Sequence, residues 1–484
     1  MATFRSKVEH KYAYVYGKDR VSHNSLFDLK PRVSSSDSPL IACSEEYFAV
    51  PYDGGGGPVF LSKVDATGKV EQAQATAQCV NGHKAEVLSI KFSPFDPKLF
   101  ATAGDDQVVQ VWTVNEDDLS ASVGTKLGSH AGAAKELAFH PLASNVVLSA
   151  GAEGDVMLWD VERGALSSKQ TLSSAAHGID WSNDGCLALL SCKDKCVRAL
   201  DPRTADVAFE ARPHAGARSF RAVWGPAVGD GRTMLSCGPA RSGGREIVVF
   251  DSRDVSKPLF TKFVDAATGA LMPHYCPETN CLWVWGRGDM NVRHYEVDAS
   301  ASSASDALFQ AVEWRSTSKL PQVGFAALPR RCLDVQNLET ARFLRLTNST
   351  VETASFYVPR TDELKTFFND DLYPPTKARR ASIKAETWLD GEDAAPELDS
   401  LRPEGAPLLS ERPVEVTILH TSMVNDALAI EEAQKQTDDA TYKKLQALAS
   451  QYEKYTPNTS MGGRAGVDAA PADDDAVGDD EWDD

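Results

Sequence analysis

A histidine and a tryptophan recur 29 residues apart, first as His83 and Trp112 and again as His130 and Trp159. The intervening segments run in parallel, Leu88-Ser89-Ile90-Lys91-Phe92-Ser93-Pro94 beside Glu136-Leu137-Ala138-Phe139-His140-Pro141. Each continues through a short apolar run (residues 99–103 or 146–150) to a last apolar strand at 108–112 or 156–159. Self-similarity at about 40–45 residues marks propeller blades, four-stranded sheets that bury their faces only by stacking around an axis. Val197-Arg198-Ala199-Leu200-Asp201, Val248-Val249-Phe250-Asp251 and Val292-Arg293-His294-Tyr295-Glu296 repeat the last strand, so anchors fall at 112, 159, 200, 250 and 295.

An acid stands six residues before the anchor in four of these five units: Asp106, Glu153, Asp194 and Asp289. In a blade such an acid sits in a tight turn and bonds the histidine, which orients toward the tryptophan strand. Buried polar groups are tolerated there because they satisfy one another. His83, Asp106 and Trp112, with His130, Glu153 and Trp159, are therefore expected to be structural staples rather than catalytic or metal groups. Five units do not close a ring. Two more blade-sized stretches are residues 39–70, around Asp53-Gly54-Gly55-Gly56-Gly57-Pro58, and residues 314–359. The expected fold is all-β: a seven-bladed propeller whose chain ends share one blade, so that no sheet edge is left open.

Charge is uneven along the 484 residues. The formal net charge is −19, yet residues 468–484 hold nine acids and no Lys or Arg, and the first 32 residues carry +4. Opposite signs at opposite ends argue for two different protein partners rather than a nucleic-acid surface. The first 17 residues lack the apolar run of a signal peptide, and no long uncharged stretch suits a membrane span, so no membrane insertion is expected. The nine cysteines include no Cys-x-x-Cys pair and no zinc-like spacing to histidine. They are expected as buried free thiols in a reducing cytoplasm, without metal or cofactor. An enzyme is not expected either. Residues 54–57 lack the Gly-Lys-Ser/Thr of a phosphate loop, and no paired carboxylates or Gly-x-Ser-x-Gly elbow appear, so no catalytic residue is assigned.

Motifs outside the repeat resemble the coronin family. Lys11-Tyr12 to Gly17-Lys18 resembles its N-terminal signature, with Ala13-Tyr14 where the family has Arg-His. Residues 54–57 match its glycine hairpin, and Gly269-Ala270-Leu271-Met272-Pro273-His274-Tyr275 with Gly286-Arg287-Gly288-Asp289 its fifth-repeat signature. Leu328-Pro329-Arg330-Arg331-Cys332-Leu333 resembles the end of its propeller. Asn369-Asp370-Asp371-Leu372-Tyr373-Pro374 and Glu386-Thr387-Trp388-Leu389-Asp390-Gly391 resemble its C-terminal extension. The resemblance implies binding to filamentous actin through a basic propeller surface, with the extension packed on the propeller's underside. The family's best-known contact is an arginine shortly before the strand opening the first blade. It carries over to Arg32, with Lys30 as its basic neighbour.

The domain expectation is a propeller over 1–365, an extension and linker over 366–424, a short amphipathic helix over 425–456 and a disordered acidic tail over 457–484. Arg379-Arg380-Ala381-Ser382 has the form basophilic kinases prefer, which makes Ser382 a phosphorylation candidate. Tyr442, Leu445, Ala449 and Tyr452 make a seam of about two heptads, too short to set an oligomeric state. The last residues, Asp479-Asp480-Glu481-Trp482-Asp483-Asp484, resemble the acidic terminus of the Wiskott–Aldrich syndrome protein family. That resemblance implies binding to the actin-related-protein nucleating complex, with Trp482 as anchor among Asp480, Glu481 and Asp483. A buried Trp anchor is worth about 2 kcal/mol or more. The whole reads as an actin-organising protein of the cytoplasmic cytoskeleton. A generic WD-repeat scaffold is the rival, since propellers host many functions, but it would lack the Leu372-Tyr373-Pro374 and Trp388-Leu389 motifs.

Overall fold

The computed structural model describes residues 10–20, 25–33, 38–216, 218–228, 231–298, 301, 307–412 and Lys443. Among these, the strands assemble into seven sheets and one two-stranded ribbon. The first blade holds Ala42–Cys43, Tyr47–Pro51, Val59–Lys63 and Cys79–Val80. The second runs Val87–Phe92, Leu99–Gly104, Val108–Val114 and Ala121–Ser129, each antiparallel to the next. Four further meanders follow, opening at Ala134–Phe139, Ala176–Trp181, Arg221–Val228 and Leu271–Cys276.

Burial explains the sequence pattern within a blade. In the third blade Val146–Gly151 and Asp155–Asp160 are buried on both faces, so they read as unbroken apolar runs, whereas the outer strand Ala165–Thr171 is largely exposed. Each anchor indole packs onto the preceding blade. Trp112 joins Val59, Leu61 and Val80 of the first blade, and Trp159 joins Ala101, Val109 and Val111 of the second. Gly82 and Gly128 lie under these two indoles, where a Cβ would run into the ring. That close approach explains the glycine at these two sites. Burying each indole stabilises the stack by roughly 2–3 kcal/mol.

The chain ends close the ring. Gly324–Ala327, Glu339–Leu346 and Thr350–Tyr357 supply three strands of the seventh blade. The N-terminal strand Tyr16–Arg20 adds the outer one, with Tyr16 opposite Tyr357 and Arg20 opposite Thr353. Asp19 accepts hydrogen bonds from the Thr317 N–H at 2.7 Å and the Ser316 hydroxyl at 2.9 Å, pinning this strand to the incoming chain. Among the described residues every blade is thus linked to its neighbours.

The up-and-down order puts connections 93–98, 140–145 and 202–205 at one end of the sheets. Connections 52–58, 105–107 and 81–86 fall at the other. Past Tyr357 the chain crosses the first of these faces, with short helices Asp362–Lys365 and Ala385–Leu389 and a ribbon pairing Thr376–Lys377 with Leu398–Asp399. The residues expected as a short amphipathic helix, 425–456, and as an acidic tail, 457–484, lie outside the described residues, apart from Lys443.

Candidate functional site

The blade polar groups form closed relays. His83 Nδ1 lies 2.9 Å from Asp106 Oδ1, His83 Nε2 lies 2.7 Å from the Thr102 hydroxyl, and Trp112 Nε1–H donates to that hydroxyl at 2.7 Å. A carboxylate only accepts, so Nδ1 carries the proton and Thr102 O–H donates to Nε2. Burial pushes the Asp106 carboxyl up, but hydrogen bonds from Lys84 N–H and His83 outweigh it and hold the group below the usual carboxylate range. In the third blade His130 bonds Ser149 at 2.7 Å, and Trp159 donates to the same hydroxyl at 2.7 Å. The carboxylate there is Asp155, 2.8 Å from His130 Nδ1, and not Glu153. Glu153 stands two residues earlier in the same turn and is exposed. Desolvation holds the His130 imidazole below its ordinary range, against the pull of Asp155.

Two further acids expected to hold a histidine hold arginine instead. Asp194 binds Arg198 at 2.6 Å, and Asp289 binds Arg245 of the preceding blade at 2.7 Å. A third imidazole relay, His214 with Glu246 at 3.0 Å and Ser236 at 2.9 Å, escaped the sequence reading. Its acid sits four residues before Phe250, as Asp155 does before Trp159, and that spacing was the available signal.

Lys30 and Arg32 lie along the edge of the first blade. Pro31 bridges Tyr52, the Arg32 N–H donates to Pro51 O at 2.8 Å, and the Asp53 N–H donates to Lys30 O at 2.9 Å. Lys30 Nζ donates to Gln72 Oε1 at 3.2 Å. The Arg32 side chain, 52% exposed, reaches Asp53 at 3.2 Å and Glu86 at 3.1 Å, spanning from the first blade to the entry of the second. These two acids keep its guanidinium firmly charged. Arg32, Glu86 and the glycine hairpin line a notch of about 100 Å³. The sequence reading took Arg32 for a filament contact, without these two acid partners. Exposed ion pairs contribute about 1 kcal/mol or less, so these two cost little to exchange.

The extension fills the opposite face. Trp388 is 1% exposed, with its ring 4.3 Å from His140, 5.9 Å from Trp181 and 4.9 Å from the Arg203 guanidinium. Arg203 binds Asp393 and Arg163 binds Glu386, each at 2.8 Å. Tyr373 Oη donates to Glu339 O at 2.9 Å, and Tyr12 Oη donates to Leu372 O at 3.0 Å, so one motif touches both chain ends of the propeller. Ser382 is half-buried; its N–H donates to Leu142 O at 3.0 Å and its hydroxyl accepts from Glu397 N–H at 3.1 Å. Arg380 is committed to Glu397 and Asp399, while Arg379 reaches Phe95 O at 3.4 Å.

The axis is a cavity of about 570 Å³ whose wall includes Lys91, Asp180, Arg221 and Lys377. Buried Glu136 compensates Arg221 at 2.9 Å and Lys91 at 3.7 Å. Burial pushes the Asp180 carboxyl up to about 6. Among the described residues no cluster of His, Cys, Asp or Glu has metal-site geometry, and no helix is long and apolar enough to cross a membrane. Asp480, Glu481, Trp482 and Asp483 lie outside the described residues.

Comparison with known proteins agrees with this architecture. Residues 75–113 match the family model of the WD domain, G-beta repeat; residues 351–396 match a type of WD40 repeat. Residues 9–69 match a domain of unknown function, DUF1899. Human Coronin-2A is 31% identical over 421 residues, 84% of this chain and 77% of its own length. Coronin-A of Dictyostelium discoideum is 33% identical over 396 residues, covering 81% of this chain and 85% of its own. The coronin-like protein crn1 of Schizosaccharomyces pombe is 30% identical, over 80% of this chain and 63% of its own. The crystal structure of the WD40 domain from Toxoplasma gondii coronin superposes with a TM-score of 0.73 at 26% identity, over 81% of this chain and 98% of that one.

Proposed function

Because this chain belongs to the coronin family, we propose that it binds actin filaments through the propeller face that carries Arg32 and Lys30. One observation carries the reading. The extension occupies the opposite face through Trp388, while the Arg32 corner stays exposed, its side chain paired among the described residues with the rim acids Asp53 and Glu86. Filamentous actin is acidic, and a cation at the rim of a contact raises association rate and sets register. The tail is the second contact: Trp482, flanked by Asp480, Glu481 and Asp483, engages the actin-nucleating complex, placing the protein at the cytoplasmic actin cytoskeleton. Ser382 is the site where phosphorylation would act. A phosphate there puts charge on the oxygen that accepts from the Glu397 N–H, two residues from Arg380, and competes with Glu397 and Asp399 for that guanidinium, so it loosens the ribbon.

Co-sedimentation with actin filaments across a salt series tests the first contact. The account expects pelleting that weakens as ions screen the surface; protein remaining in the supernatant at low ionic strength rejects it. Trp482→Ala tests the second. It should weaken pulldown of the nucleating complex at least tenfold, about 1.4 kcal/mol, while filament pelleting persists. Unchanged pulldown rejects the tail assignment.

A further inference from the structure

The hairpin of the sixth blade carries two cysteines that none of these contacts uses. Leu271–Cys276 and Cys281–Gly286 are antiparallel, and Cys276 and Cys281 are direct cross-strand partners on either side of connection 277–280. Opposed residues of an antiparallel pair point to the same face with Cα atoms about 4.5–5.5 Å apart. A disulfide spans about 4.4–6.8 Å between Cα atoms, so the backbone already holds the right separation. Opposed Cβ atoms lie about 4.5–5.5 Å apart and need close by only about 1 Å to bond.

The surroundings suit oxidation chemistry. Both cysteines line one cavity of about 30 Å³, together with Tyr12, Thr279, His294 and Arg330. That volume holds a molecule the size of water or hydrogen peroxide. The Cys276 S–H donates to Glu278 Oε2 at 3.2 Å, and Arg330 Nη1 lies 3.9 Å from Cys276 Sγ, so a base and a cation flank one sulfur. The Cys281 S–H donates to Thr279 O at 3.4 Å.

We propose that Cys276 and Cys281 form a reversible disulfide when the protein meets hydrogen peroxide. Glu278 takes the Cys276 proton, and the thiolate attacks one peroxide oxygen as the O–O bond breaks. Cys276 becomes a sulfenic acid, and the departing hydroxide recovers the proton as water. Cys281 sulfur then attacks Cys276 sulfur, the S–O bond breaks, and hydroxide leaves with the Cys281 proton as a second water. Two thiols give up two electrons and one peroxide becomes two waters. Burial holds both thiols above their ordinary range, so the first step is slow beside that of an exposed, cation-activated cysteine. The pair sits beneath a junction. Arg330 also donates to Thr340 O at 3.3 Å and Leu372 O at 3.4 Å, so the bond forms where the seventh blade, the N-terminal segment and the extension meet.

Trypsin releases residues 263–287 as one peptide containing Cys276, Cys281 and no other cysteine. The native full-length protein is treated with graded hydrogen peroxide, quenched, then denatured with iodoacetamide. The expected product is this peptide two hydrogens lighter and unalkylated, returning to the doubly alkylated form after dithiothreitol. Cys281→Ser should leave a sulfenic acid on Cys276 that dimedone captures. A peptide that stays doubly alkylated at every dose, or Cys276 joined to a different cysteine, overturns the proposal. The wild-type reading does not depend on the variant folding.

Discussion

One hydroxyl joins three side chains in the second blade. Thr102 accepts from the Trp112 indole and donates to His83, whose other nitrogen is held by Asp106. Removing one partner of such a relay leaves a buried donor or acceptor unsatisfied, which costs about 1–3 kcal/mol. Asp155→Ala should therefore destabilise the protein by about 2 kcal/mol in urea unfolding, while exposed Glu153→Ala changes it by less than about 0.5 kcal/mol. Equal losses would return the role to Glu153. The histidine and tryptophan of each relay were legible because a repeat fixes their spacing. The acid was not, because Glu153 and Asp155 flank one glycine in a tight turn and their spacing to Trp159 differs by only two residues. Which end of the turn faces the imidazole is decided by strand pairing, with Asp155 opposite Thr171.

At the scale of elements, Trp388 is the extension's largest buried anchor. Trp388→Ala empties a site walled by His140, Trp181 and Arg203 and should cost about 3–5 kcal/mol. Hydrogen exchange over residues 376–399 should rise while the inner strands stay protected; uniform exchange across the chain would show that the extension is not separately anchored. Acid should strain the same contact. Burial holds His140 at about 4 in the folded state, below the ordinary value of about 6.5. Its Nδ1 accepts the Leu142 and Ala143 N–H groups, which a proton there would displace. The unfolded chain binds the extra proton first, so this stabilisation is complete above pH ~6.5 and is lost as pH falls toward 4. Buried His274, also held at about 4, adds to the effect. Asp180, pushed up to about 6, works in the opposite sense. Calorimetry should find a lower melting temperature at pH 4.5 than at pH 7, and a higher one would contradict this assignment. The extension's motifs were recognisable in the sequence by resemblance. Its docking partners were not, because Trp388 meets residues more than 180 positions away.

The whole molecule depends on a strand borrowed from the other end of the chain. Without residues 1–20, residues 353–357 of the last strand lose their outer partner and present an open edge that recruits other chains. That truncation should shift the protein to aggregates in size-exclusion chromatography; a stable monomer would show that closure is dispensable. Seven blades and a shared closing blade were legible because the period and chain length leave few other solutions. The setting of Arg32 was hidden, since Glu86 is 54 positions away and arrives only when the first two blades stack. Closure yields two distinct faces, one covered by the extension and one bearing the Arg32 notch. The most direct test is a cryo-electron microscopy map of actin filaments decorated with the full-length protein at low ionic strength. The account predicts density joining the filament to the face of Arg32, Lys30 and the glycine hairpin, with Trp388 turned away. Undecorated filaments, or contact through the Trp388 face, would contradict it.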